Sequence, residues 1–271
     1  MISRRLALTA AGLTCLTCLA PAGPAAAADT RRPSAPPLRL GVDDSLVDSG
    51  LAAALTRAFT ADTGIPVQLV PRPARPMHEA LDRGEIDAAL GNAPELEARL
   101  EREGLIHDRR IVAHGEFVLV GPALRGKAGV ASAGLVAALR GLRDAAPGTA
   151  TFLSAAEGSA AHAIEQSAWR EAQITPAAPW FVAGAASADP SIAQARARGA
   201  YALVERGAWL AQGGAPLAVR VQGDPLLREA VHAMRGFRVS HPAGKIFVAW
   251  VAGPQGRRVV AAQRGYRAPA G

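Results

Sequence analysis

Two short runs carry hydroxyl groups where binding of an anion would need them. Ser45 to Ser49 and Ser154 to Ser159 each place serines just ahead of a helical pattern. There a hydroxyl and the unpaired N–H groups of a helix start can together hold a negative charge. Either run taken singly reads first as an N-cap. Their occurrence once in each half of the chain is what raises the binding reading.

Patterns for other chemistry fall short. Gly121-Pro-Ala-Leu-Arg-Gly-Lys127-Ala128 approaches a phosphate-binding loop, but Ala128 stands where a magnesium-coordinating hydroxyl belongs. Pro122 also removes a backbone donor from a loop that works by donating N–H groups. The stretch reads as a strand followed by a basic surface turn. Histidines at 78, 107, 114, 162, 232 and 241 form no zincin pair, since His78-Glu79 is followed by Asp82 where the second histidine would stand. No Gly-x-Ser-x-Gly elbow occurs, and Ser159 with His162 lacks a third group. No catalytic residue, metal or cofactor is therefore expected.

Composition is that of a globular protein. The chain has 271 residues, 49% hydrophobic, 20% charged and 4% aromatic, which predicts two lobes or one large α/β domain. Its basic residues are 28 arginines and two lysines, spread along the chain without interleaved aromatics. That distribution argues against a nucleic-acid partner.

The first residues read as a delivery tag. Met1-Ile-Ser-Arg-Arg5 supplies a positive region, Leu6 to Ala20 an apolar run, and Ala26-Ala27-Ala28 a small-residue cleavage site. Ser3-Arg4-Arg5-Leu6 leaves both the Sec and the twin-arginine routes open. No later stretch approaches the ~20 apolar residues of a membrane span. Both cysteines, Cys15 and Cys18, lie inside the tag, so the mature chain is expected without disulfides or thiolate sites. Arg31 to Pro37 reads as a flexible lead-in.

The elements that must position the serines alternate in type. Strands are predicted at Leu38–Val42, Pro66–Val70, Ile86–Leu90 and across Arg110–Val120, with helices at Ser49–Ala61, Met77–Arg83 and Pro94–Glu103. Further helices fall at Ser132–Arg143, Ser159–Glu171 and Pro190–Arg198, with strands at Thr151, Tyr201 and Leu217–Val221. Leu226–Val239 and Gly244–Ala262 return to the first half. This βαβ rhythm predicts an α/β fold with mostly parallel sheets, whose ligands sit beyond the strand carboxyl ends.

Leu40-Gly-Val-Asp-Asp-Ser-Leu-Val-Asp-Ser-Gly50, Phe59, Thr63-Gly64, Gly84-Glu-Ile-Asp87 and Asn92-Ala-Pro94 resemble, in order and spacing, the tungstate-binding proteins of ABC importers. So do Arg109-Arg110, Glu116 to Pro122, Ser159 with His162 and Trp169, Gly199 to Gly207, and Gly223-Asp-Pro-Leu-Leu227. The resemblance implies a two-lobed periplasmic binding-protein fold that closes on an anion without catalysis. It divides the chain into a signal peptide (1–28), a lead-in (29–37), a first lobe (38–114 with 223–271) and a second lobe (115–222).

At the site the chain departs from that family. The family's Thr-Thr-Thr-Ser loop is here Val42-Asp43-Asp44-Ser45, and its Ser-Arg-Gly-Asp loop begins Ser154-Ala155-Ala156-Glu157. An arginine is thus replaced by Ala155 and a threonine by Ala161. A lost charged hydrogen bond costs ~1.5–3 kcal/mol, and a carboxylate about 4 Å from an anion adds ~4 kcal/mol of repulsion. Arg72 or Arg75, in the loop Pro73-Ala-Arg75-Pro76-Met77, is expected either to neutralise Asp43 and Asp44 or to replace the missing arginine. Solvent-exposed arginines are the bland reading.

The resemblance implies a monomeric, exported solute-binding protein of an ABC importer, working with a membrane permease in the periplasm. Ser45, Ser49, Ser154 and Ser159 would be its donors, with Asp44, Arg75 and Glu157 at the site. Its ligand is expected to be a tungstate-like oxyanion or a related small anionic solute. The alternative is a non-transport interaction or sensor-docking protein whose cleft has decayed.

Overall fold

Residues 36–122, 134–145, 148–184, 192–238 and 241–270 are described in the computed structural model. The expected signal peptide, most of the lead-in, the basic turn around Lys127 and the helix starts assigned at Ser132 and Pro190 lie outside the described residues.

The first half runs β1 (Leu38–Asp43), α1 (Asp44–Asp48), α2 (Leu51–Thr63), β2 (Val67–Arg72), α3 (Ala74–Asp82), β3 (Ala88–Gly91), α4 (Pro94–Arg102) and β4 (Ile106–Gly121). The second continues with α5 (Leu135–Arg143), β5 (Phe152–Leu153), α6 (Ala160–Ala172), β6 (Phe181–Val182), α7 (Ile192–Arg198), β7 (Ala202–Glu205), α8 (Arg206–Gln212) and β8 (Ala218–Val221). After a 3-10 turn at Pro225–Leu227 come β9 (Arg228–Gly236), α9 (Pro242–Ala252) and α10 (Pro254–Ala261).

Local chemistry accounts for these boundaries. Leu51, Leu55 and Phe59 recur one turn apart and face the core. Gly64 ends α2 in a left-handed conformation, its N–H donating to the Thr60 carbonyl. In α4, Pro94 opens the first turn with Glu95 and Glu97, and Arg99 and Arg102 close the last, in accord with the helix dipole. Ser159 caps α6 by accepting from the His162 N–H.

β1 lies between β2 and β3, parallel to both. Leu38, Leu40 and Val42 are fully buried, as a strand covered on both faces requires. β3 then pairs antiparallel with β9, and β9 with the first part of β4. From Phe117 onward β4 pairs antiparallel with β7 and β8. The order is β2-β1-β3-β9-β4-β7, with β8 also on β4. β5 and β6 form a separate parallel pair.

The α/β, two-lobed architecture is as the sequence predicts, but the sheet is mixed where mostly parallel pairing was expected. The alternating pattern reveals helices between strands and is silent on a strand such as β9, which returns from the second half and inserts between β3 and β4. β4, expected as several strands, is one continuous strand of 16 residues.

Two aromatic-centred cores flank this ladder. In the first, the Phe59 ring meets Phe247 and Trp250 edge-on at 5.2 and 5.6 Å. In the second, Trp169 meets Phe152 at 5.0 Å and Trp180 at 5.7 Å. Each fully buried ring contributes about 1.5–3 kcal/mol by leaving water.

Candidate functional site

A cavity of about 760 Å³ opens in the cleft between the lobes. One wall comes from the start of α3, from Asn92 and Ala93, and from α4. The other comes from Glu157, Gly158 and the first two turns of α6, with Pro225, Leu226 and Arg228 completing the lining. The lobes touch at one edge of it, where the Arg75 N–H donates to the Gly158 carbonyl at 3.0 Å. That contact follows from topology. β2 and β3 are both parallel to β1, so α3 and α4 start at the same sheet edge.

The lining is cationic. Arg75, Arg99, Arg102 and Arg228 face the space against Glu95 and Glu157. Arg99 reaches Glu103 at 3.8 Å, whereas Arg75, Arg102 and Arg228 make no ion pair with any described residue. Exposed guanidinium groups in a concave site raise the local concentration of anions. Burial holds His162 below its usual range, with Glu157 opposing and Arg75 reinforcing the shift.

The residues singled out from sequence divide between two places. Arg75, Glu157 and Ser159 line the cavity; Ser45, Ser49, Ser154 and Asp44 are outside its lining. Ser45 donates to Asp43 Oδ1 at 2.7 Å and accepts from Asn92 Nδ2 at 2.9 Å. Ser49 donates to the Leu46 carbonyl and accepts from the Tyr266 hydroxyl at 2.8 Å. Ser154 donates to Glu165 Oε2 at 2.5 Å, and Glu165 Oε1 takes the Ala155 N–H at 2.8 Å. These hydroxyls are spent inside the protein. Asp44 is half-buried, and burial, then the neighbouring Asp48, raises its carboxyl above the usual range.

Arg72 pairs with Glu85 at 3.5 Å. Asp43 instead caps α1, accepting the Ser45 N–H at 3.1 Å. Arg75 lines the cavity.

Behind Asn92 lies a buried acidic group that the sequence reading missed. Asn92 Nδ2 also donates to Glu229 Oε1 at 2.6 Å. Burial, then the charge of Glu205, raises Glu229 well above the carboxylate range, with Asp43 and Glu97 adding to the effect. Glu205 caps α8 through the Gly207 and Ala208 N–H groups, and burial still pushes it up to about 7. Glu97 behaves oppositely. Burial opposes its charge, but a bond to His232 at 2.7 Å and the nearby Arg109 hold it below the usual range. Among the described residues no group of three or more His, Cys, Asp or Glu side chains is arranged to hold a metal ion.

The cavity arginines at 99, 102 and 228 were not singled out either. Arg99 and Arg102 lie three apart on a charged helix, which reads as a solvated face. Arg228 lies at the start of a strand whose course depends on distant pairing.

A family model described as a PBP superfamily domain matches residues 24–237. A provisionally named ABC transporter anion-binding protein of Haloferax volcanii is 30% identical over 187 residues, 69% of this chain and 54% of its own length. The tungstate-binding protein TupA of Peptoclostridium acidaminophilum is 29% identical over 174 residues, 63% of this chain and 59% of its own. The chain therefore spans just over half the length of the curated relatives it matches. The crystal structure of the tungstate ABC transporter from Geobacter sulfurreducens superimposes with a TM-score of 0.72 at 28% identity, covering 83% of this chain and 97% of that one.

Proposed function

The chain belongs to the PBP superfamily, and on that premise we propose that it is an exported solute-binding protein of an ABC importer, taking a small anion in the cleft between its lobes. The observation that carries this reading is the cavity of about 760 Å³ whose arginines outnumber its carboxylates, three of them without an ion pair among the described residues. Arg75 and the capping Ser159 are the first contacts of the anion, with Glu157 selecting against excess negative charge. Ser45 and Ser154 serve the site from behind, through their bonds to Asn92 and to Glu165 of α6; Ser49 and Asp44 lie outside the cavity lining. The names of the relatives supply the transport context. The lobes are 38–114 with 223–271, and 115–222; the leader ends near residue 28, the mature monomer resides in the periplasm, and no bond is made or broken. The rival reading, an interaction protein with a decayed cleft, finds no support in a cleft that keeps this much open space.

The test is a thermal-shift panel on mature protein with tungstate, molybdate, sulfate, phosphate and small carboxylates. A ligand at 100 times its Kd adds ~2.7 kcal/mol and raises Tm by several degrees. A panel in which no anion moves Tm removes the proposal.

A further inference from the structure

The shape of the cavity suits something longer than an oxyanion. Its lining follows α4 from Pro94 to Arg102 and α6 from the Ser159 cap to Ser167. At 1.5 Å per residue each wall is about 12 Å long. Charge is placed at both ends of the α4 wall. Arg75 and Ser159 lie on either side of the Arg75–Gly158 bond, where α3 and α6 start, on the sheet edge from which α4 also starts, whereas Arg99 and Arg102 belong to the last turn of α4, one turn apart. Along these walls Leu96, Ala163 and Ile164 supply apolar lining beside Glu95, His162 and Gln166.

A compact oxyanion held at Arg75 would leave the outer arginines idle and the Leu96 and Ile164 side chains wet. Resting on the reading of the cleft as an anion site, we propose that the ligand is an elongated organic dianion, with an α,ω-dicarboxylate as its simplest form. One carboxylate meets Arg75 and Ser159, the methylene chain lies along Leu96 and Ile164, and the second carboxylate meets Arg99 and Arg102. Guanidinium groups suit this role because each can take a carboxylate with two parallel N–H donors.

The experiment is calorimetric titration of the mature protein with malonate, succinate, glutarate, adipate and suberate, with the monocarboxylate of equal length as control and tungstate as reference. Affinity is expected to rise with chain length, the best dicarboxylate binding at least tenfold tighter than its monocarboxylate and than tungstate. The Arg99→Ala/Arg102→Ala double variant, changed only at exposed helix positions, is expected to bring that pair within about threefold of each other. Length-independent binding, equal binding of mono- and dicarboxylate, or a double variant that keeps the full difference would overturn the proposal. Binding of tungstate alone would overturn this inference and leave the anion-transport reading standing. No binding by any of these anions would overturn both.

Discussion

The backbone N–H of Arg75, opening α3, donates to the carbonyl of Gly158, just ahead of α6, at 3.0 Å. It is a direct stitch between the lobes beside the cavity. Gly158 has φ +85°, and an added Cβ would stand 3.2 Å from Arg75 Cβ. Gly158→Ala is expected to cost about 1–2 kcal/mol from the left-handed backbone alone, a Tm fall of a few degrees by scanning calorimetry. An unchanged Tm would mean that this loop relaxes freely and the stitch does not hold the lobes.

Arg75→Ala keeps that backbone contact and removes only the guanidinium. Losing one charged donor costs about 1.5–3 kcal/mol of binding, so the Kd of whichever anion binds should rise by one to two decades in calorimetry. The ligand-free Tm should move little, because the side chain is exposed and forms no ion pair with a described residue.

Placing at position 155 the arginine that the resemblance implies should fail. Ala155 is packed into the second core at 2% exposure, its N–H tied to Glu165. Ala155→Arg would bury an unpaired charge, which costs several kcal/mol. The expected result is loss of soluble folded protein or a Tm drop of ten degrees or more, without a gain in tungstate affinity.

Glu205 gives stability a pH dependence of definite sign. Its folded value, pushed up to about 7, lies above the ordinary 4.5. Its contribution is therefore fully present below about 4.5 and is lost as pH rises through about 7. The loss is about 3 kcal/mol by linkage. Urea denaturation should show stability falling between pH 5 and pH 8. Glu205→Gln removes the titrating group and should flatten that slope; an equal slope in the variant would show that the dependence arises elsewhere.

Helix starts and core stripes were legible because their causes are local. The Leu51, Leu55 and Phe59 spacing, the Thr63-Gly64 stop and the Pro94 start each depend on residues within a few positions. Ser159 was legible as a cap for the same reason, whereas Arg75, which the sequence places in a loop before a helix from Met77, lies in the first turn of α3, which starts at Ala74. The partners of the other serines were not legible. Ser154 is claimed by Glu165 across the lobe-2 core, Ser49 by Tyr266 from the far end of the chain, and Ser45 by Asn92. Such pairings arise from tertiary proximity and leave no spacing to read. The mixed sheet escaped likewise, since β9 owes its place to β3 and β4 rather than to its neighbours in sequence.

β4 enters the ladder beside β9 and leaves it beside β7 and β8 without a break, so one strand has a stake in both cores. Val112 and Ala113 are packed in the first, and Phe117 and Leu119 in the second. Neither half can melt without loosening a segment that the other depends on. The molecule should consequently denature in a single cooperative transition, and removing either half by truncation should leave the remainder as an unfolded fragment.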